Sequence, residues 1–248
     1  MASLKRRHIE KDFVLILLCL GLTACGKKDN SYFPLSSGYE WHYQVLALTT
    51  DGVHEQRIIL HSLDPREIDG QSYFVLRSLT GLLYLYRSTE DGLEQEGYLR
   101  HKKQEDEFVS DRVMLLPKQL EVGYEWESMM KTRTLGHKWN SSEARVPQMI
   151  ASVPVNNRIE NTNAVVTTAA GRFNNCLEIS TKGFSFHKGG RFSERTLVEI
   201  DQLNWYAPGV GLVKSVIKET SSNQAFAKGE WRLELESYRP PKTIFDFS

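Results

Sequence analysis

Among the residues able to do chemistry, the cysteines and histidines come first. The chain has 3 cysteines and 7 histidines. Cys25 is the one whose neighbours assign it a task. It closes the run Leu22-Thr23-Ala24-Cys25, directly after an apolar stretch from Phe13 to Leu22. Lys5, Arg6, Arg7 and Lys11 precede that stretch. A basic region, a short apolar region and small residues before a cut form a secretory signal. A permanent span needs about 20 apolar residues. The run here is about half that and ends in Lys27-Lys28-Asp29-Asn30. The expected cleavage lies between Ala24 and Cys25. The Cys25 thiol, a strong nucleophile when ionised, is a residue type that can carry a thioether there.

Leu-Thr-Ala-Cys resembles the lipobox of bacterial lipoproteins. The resemblance implies a diacylglycerol on the Cys25 sulfur, cleavage before it and acylation of the new amine. Two or three chains on one residue would make attachment effectively permanent, because one chain holds only reversibly. Gly26 follows, where Asp tends to mark inner-membrane retention, so the resemblance points to the outer membrane, facing the periplasm. Glu10 and Asp12 near the apolar run depart from the usual signal pattern.

No other residues form a catalytic or metal-binding pattern. The histidines (His8, His42, His54, His61, His101, His137 and His187) show no H-x-x-x-H pairing. Neither a G-x-S-x-G elbow nor a phosphate loop occurs. Cys176 lacks a partner once Cys19 leaves with the signal and Cys25 is lipidated, and it reads as a buried strand thiol. The expectation is a non-enzyme without cofactor or metal. Net charge is +0, from 31 basic and 31 acidic residues. That balance offers nucleic acid no attraction.

The elements around these residues read as strands. In Glu230-Trp231-Arg232-Leu233-Glu234-Leu235-Glu236, apolar and charged residues alternate, as on a half-buried strand. Arg195–Ile200 and Leu212–Lys218 are β-branched and strand-like. The run 82–87 is apolar on both faces, as in a covered sheet. Asp51-Gly52, Asp69-Gly70 and Asp91-Gly92 suit type I′ hairpin turns, and Gly189-Gly190 separates another pair. Residues 101–107 and 156–163 are polar and read as exposed loops. The expected organisation is a signal peptide at 1–24, lipidated cysteine and tether at 25–31, a β-rich periplasmic domain at 32–240 and a tail at 241–248. Gly38-Tyr39-Glu40-Trp41 returns as Gly123-Tyr124-Glu125-Trp126, each after a proline and a short spacer. The echo leaves open one half-barrel or two related β lobes. Either is mainly β, a curved antiparallel sheet with little helix.

Tyr32-Phe33-Pro34-Leu35, Gly38, Trp41, Gly123, Trp126, Thr168–Phe173 and Trp205-Tyr206-Ala207-Pro208-Gly209-Val210-Gly211-Leu212-Val213-Lys214 resemble a family of exported bacterial proteins of unknown function. The resemblance implies a curved antiparallel sheet, related in shape to the half-barrel lipoprotein carriers of the Lol type. It implies no catalytic residues. Pro208-Gly209 itself suits a type II turn. Two functions follow as expectations. One is a binding module for an apolar ligand such as an acyl chain, lined by Trp41, Tyr43, Tyr84, Tyr86, Trp126 and Trp231. The other is a scaffold that holds envelope protein partners through an apolar patch or a free strand edge.

Overall fold

The computed structural model describes residues 31–49, 52–102, 105–135, 150–188, 195–223 and 229–242. Ala24, Cys25, Asp51 and the Gly189-Gly190 turn lie outside these. Twelve strands form one antiparallel sheet. They are β1 (Glu40–Thr49), β2 (Gly52–Ile68), β3 (Gln71–Ser78), β4 (Leu83–Ser88), β5 (Gly92–Lys102) and β6 (Glu105–Pro117), then β7 (Glu125–Lys131), β8 (Ser152–Thr168), β9 (Gly171–Lys188), β10 (Arg195–Ala207), β11 (Gly211–Ser221) and β12 (Gly229–Arg239). No described residue is helical.

Every strand pairs with its neighbour in sequence, and β1 pairs with β12. The cycle is broken only between β6 and β7, the two ends of the sheet. Those ends meet through side chains. Trp126 Nε1–H donates to the Met114 carbonyl at 3.3 Å, and Lys131 Nζ lies 2.6 Å from Asp111 Oδ1. The sheet is therefore one nearly closed, up-and-down barrel with a seam. It is a single body and not two separate lobes.

The sequence echo nevertheless has a structural counterpart. Gly38 and Gly123 have φ of 93° and 89°, a left-handed conformation that favours glycine. Gly38 N–H donates to the Ser62 carbonyl and Ser62 N–H to the Tyr39 carbonyl; Gly123 and Ile159 repeat this with Tyr124. Each copy opens a six-strand half, and β1 and β7 run the same way because an even number of antiparallel steps separates them. The copies differ where the seam intrudes. Tyr39 and Trp41 stack at 5.2 Å and 9°, whereas Tyr124 and Trp126 sit 6.3 Å apart at 36°. β1 is flanked by strands on both sides; β7 is flanked on one, which leaves Trp126 half-buried.

Alternation sets the wall. Trp41, Tyr43, Val45 and Ala47 on β1 point inward, beside Trp231, Leu233 and Leu235 on β12. The main core lies on the inner face, and β8 approaches β11 and β12 across the interior, so the barrel is flattened there. A second cluster (Val75, Leu83, Leu85 and Leu99) packs on the other face of the β3–β5 region, which explains the doubly apolar run at 82–87. Asp69-Gly70 adopts the expected turn, both residues having positive φ, 52° and 75°. At Asp91-Gly92 only the glycine does. Two loop expectations are corrected. Residues 101–102 end β5 and residues 105–107 begin β6, with His101 opposite Asp106. Residues 156–163 lie inside β8, where Asn157 and Ile159 continue the inward row of Val153 and Val155. Outward Asn156, Arg158 and Glu160 raise the polarity and hide that period.

Candidate functional site

Barrel diameter grows with strand number. Side chains just fill a barrel of about eight strands, while wider barrels enclose cavities. Here twelve strands surround a cavity of about 540 Å³ despite the flattening. All six aromatic candidates, Trp41, Tyr43, Tyr84, Tyr86, Trp126 and Trp231, line it. They come from four strands, β1, β4, β7 and β12, at inward register positions: Trp41 faces Leu60 of β2, and Tyr84 lies between Leu76 and Tyr98.

One end of the cavity is closed by the segment before β1 and the β10–β11 turn. Phe33 and Pro34 lie there with Gly211 and Leu212. The turn is type II: Val210 N–H donates to the Ala207 carbonyl at 3.1 Å, with Gly209 at φ 72°. Trp41 Nε1–H donates to the Val210 carbonyl at 2.6 Å, and the Tyr43 hydroxyl to the Leu212 carbonyl at 3.0 Å. Gly209 N–H bonds the Ser31 carbonyl at 2.8 Å, and the Tyr32 hydroxyl bonds the Asn175 carbonyl at 3.0 Å. The Tyr-Ala-Pro-Gly-Val-Gly-Leu segment thus clamps the entering chain to β1.

Residues 132–135, which follow β7, lie at the other end. Glu219 on β11 is wholly buried, and its carboxylate accepts the Arg133 N–H at 2.6 Å and the Leu135 N–H at 3.0 Å. Burial outweighs these bonds and pushes the carboxyl above the ordinary carboxylate range. Leu135 and Thr134 are buried, while the Arg133 guanidinium sits 5.3 Å from the centre of the Trp231 ring, beside the cavity it helps to line.

The wall between these ends has two characters. On one side are the aromatic rings with Ile58, Leu60 and Leu76. On the other is a polar ladder. Thr181 donates to Asn157 Oδ1 at 2.7 Å; Asn157 donates to Ser128 and to the Trp126 carbonyl; Gln202 donates to Asn204 and Ser215. Desolvation raises the phenols of Tyr43 and Tyr86 strongly and pushes Tyr206 up to about 12, so all three are neutral near pH 7. The site is an apolar-and-amide container whose hydroxyls remain protonated. Among the described residues no group of three or more His, Cys, Asp or Glu is placed to hold a metal. Cys176 is buried away from the cavity lining, its thiol raised by desolvation.

The structure puts the six aromatics in the lining, together with Arg133 and the ladder, and sets Glu219 beside it; the sequence did not single out these last three. For the ladder a signal exists: Asn157, Thr181, Gln202 and Asn204 replace apolar residues at inward positions of strands. For Arg133 there is none, since it follows the end of a strand and its direction is set by Glu219.

The fold and site define a class: a nearly closed meander barrel with an internal cavity. No protein-family model and no curated protein matches the sequence. Two solved structures align with it. One is a protein of Parabacteroides distasonis assigned as a lipoprotein, 14% identical, covering 84% of this chain and 98% of that one with a TM-score of 0.38. The other, from Bacteroides fragilis, is assigned as exported with a YmcC-like fold, 13% identical, with the same coverage and TM-score. A likeness this distant does not establish function.

Proposed function

We propose that this chain is an envelope lipoprotein, anchored through lipid on Cys25, whose barrel binds an apolar ligand such as an acyl chain. The observation that carries the reading is the cavity of about 540 Å³ lined by six aromatic residues singled out for their types and strand positions. That volume lies within the range of small-molecule sites, roughly 300–1,000 Å³. Binding requires no catalytic group, and none is assigned. Lipidation and location rest on the lipobox resemblance and Gly26, which favour the outer membrane and its periplasmic face. The geometry supports an anchor as well. Ser31 is held at the closed end of the barrel, and the six residues back to Cys25 reach at most about 20 Å. Lipid on Cys25 would keep that end near the membrane.

Native mass spectrometry tests the reading. The chain from residue 25 onward, carrying Cys25→Ser, contains every described strand and core residue. It is expected to retain a lipid-sized mass after purification or to take one up from added fatty acid. A bare mass in both cases would overturn ligand binding. Cys25→Ser in the full chain should abolish incorporation of labelled palmitate into cells' protein; unchanged labelling would overturn lipidation. The scaffold alternative draws on one observation. Phe184 and Phe186 stand exposed on β9, 61% and 53%, edge to face at 6.4 Å. In-cell crosslinking from position 184 should recover a defined partner if that reading is right.

A further inference from the structure

The cavity holds three charged side chains at its lining, and two of them neutralise each other. Lys131 and Asp111 pair at 2.6 Å across the seam. The third is Arg133. Its guanidinium forms no ion pair with a carboxylate among the described residues, although it lies over Trp231. Glu219 feels the Arg133 charge, but both of its carboxylate oxygens are engaged by the backbone amides of Arg133 and Leu135. The polar ladder satisfies itself as well. Among the described residues, the one lining charge without an ion-pair partner is the guanidinium of Arg133, a side chain that is also exposed to solvent.

A guanidinium beside an apolar wall is a specific device. It offers a planar fork of donors that matches a carboxylate in a bidentate pair, and it stays charged at any physiological pH. Stacking over Trp231 orients the fork before a ligand arrives, which lowers the ordering cost of binding. From Trp231, opposite Ala47, the apolar wall continues along β1 to Trp41. The six steps from Ala47 back to Trp41 span about 20 Å of strand. The cavity thus carries its unpaired charge at one end of an aromatic and aliphatic wall.

We propose that Arg133 is the head-group anchor of this cavity and that its ligand is a single-chain amphiphile with a monoanionic head, such as a fatty acid. One cation matches one negative charge; a doubly charged phosphate monoester would leave a charge uncompensated in a largely apolar site. This inference rests on the cavity being a ligand site.

The test compares two probes of equal chain length, dodecanoate and dodecanol, by titration of tryptophan fluorescence. Trp41, Trp126 and Trp231 all line the cavity and report occupancy. The protein is the Cys25→Ser chain from residue 25. Dodecanoate is expected to bind at least about tenfold more tightly, a factor equivalent to about 1.4 kcal/mol. Arg133→Gln should bring the two probes within about twofold by weakening dodecanoate alone. Equal binding of the probes to the unsubstituted protein would overturn the anchor and leave the apolar cavity standing, and this outcome needs no variant to fold. A preference that survives Arg133→Gln would overturn it too. Binding of neither probe would overturn the ligand-site reading itself.

Discussion

Replacing Glu219 by Gln tests whether one buried carboxylate holds residues 132–135 at the end of the barrel. Its two oxygens accept the N–H groups of Arg133 and Leu135 at 2.6 and 3.0 Å, in a side chain with no exposed surface. Glutamine has the same shape but only one oxygen, and an amide nitrogen accepts nothing. One backbone donor would face another donor in a dry site. Leaving a buried polar group without its partner costs about 1–3 kcal/mol. Against this stands relief from burying a charge, since the carboxyl is raised above its ordinary range by desolvation. The relief is largest above the folded pKa and vanishes when the carboxyl is protonated. Protonation leaves a second oxygen able to accept weakly, which glutamine lacks, so the loss of the acceptor outweighs the relief. At about 3 °C per kcal/mol for a chain of this size, Glu219→Gln should lower Tm by about 3–9 °C where the carboxyl is protonated and by less at pH 7, where relief from burying the charge offsets part of the loss. Differential scanning calorimetry at low pH and at pH 7 reads both. The raised pKa has its own sign. Between the unfolded value and the higher folded one, the native state holds more protons, so stability from this group falls as pH rises through that window. The gap between wild type and variant should therefore be wider at low pH than at pH 7. A variant as stable as wild type at both pH values would refute the reasoning.

Two further predictions follow from the closed end and the barrel's outer rim. Trp41→Phe keeps a ring against Tyr39 but leaves the Val210 carbonyl without its 2.6 Å donor, and should lower Tm by about 3–9 °C; Trp126→Phe, whose bond is 3.3 Å and half-buried, should cost less, and an equal or larger loss would refute the asymmetry between the two copies. Glu40 is held down to about 2 by hydrogen bonds from Arg239 and His42, so its contribution is complete above the unfolded carboxylate value and lost as pH falls toward 2. The Tm difference between wild type and Glu40→Gln should therefore shrink between pH 5 and pH 2; a constant difference would count against that cluster.

Much of the wall was legible because it repeats every two residues. Trp231, Leu233 and Leu235 alternate with charges, and that alone sends them to one face. The Gly-Tyr-Glu-Trp echo named the first strand of each half. Asp69-Gly70 and Pro208-Gly209 declared their turns, since the conformations they adopt are local properties of those residues. β8 was partly missed because its outward residues are asparagine, arginine and glutamate, which mimic a loop when the inward row is overlooked.

Local sequence dictates a β meander, its main turns and the aromatic inward rows, and it carries the expectation of an exported, lipid-anchored chain. All of these depend on neighbours a few residues apart. Tertiary structure alone decided that one sheet rolls nearly shut instead of forming lobes, since closure joins β1 to β12 across some two hundred residues. It also decided that twelve strands leave space inside, and that the turn after β7 folds over Glu219, 84 residues from Leu135. Arg133 carries no period and no motif. Its place beside the cavity comes from a backbone hydrogen bond to a distant strand, a contact that exists only once the barrel has formed.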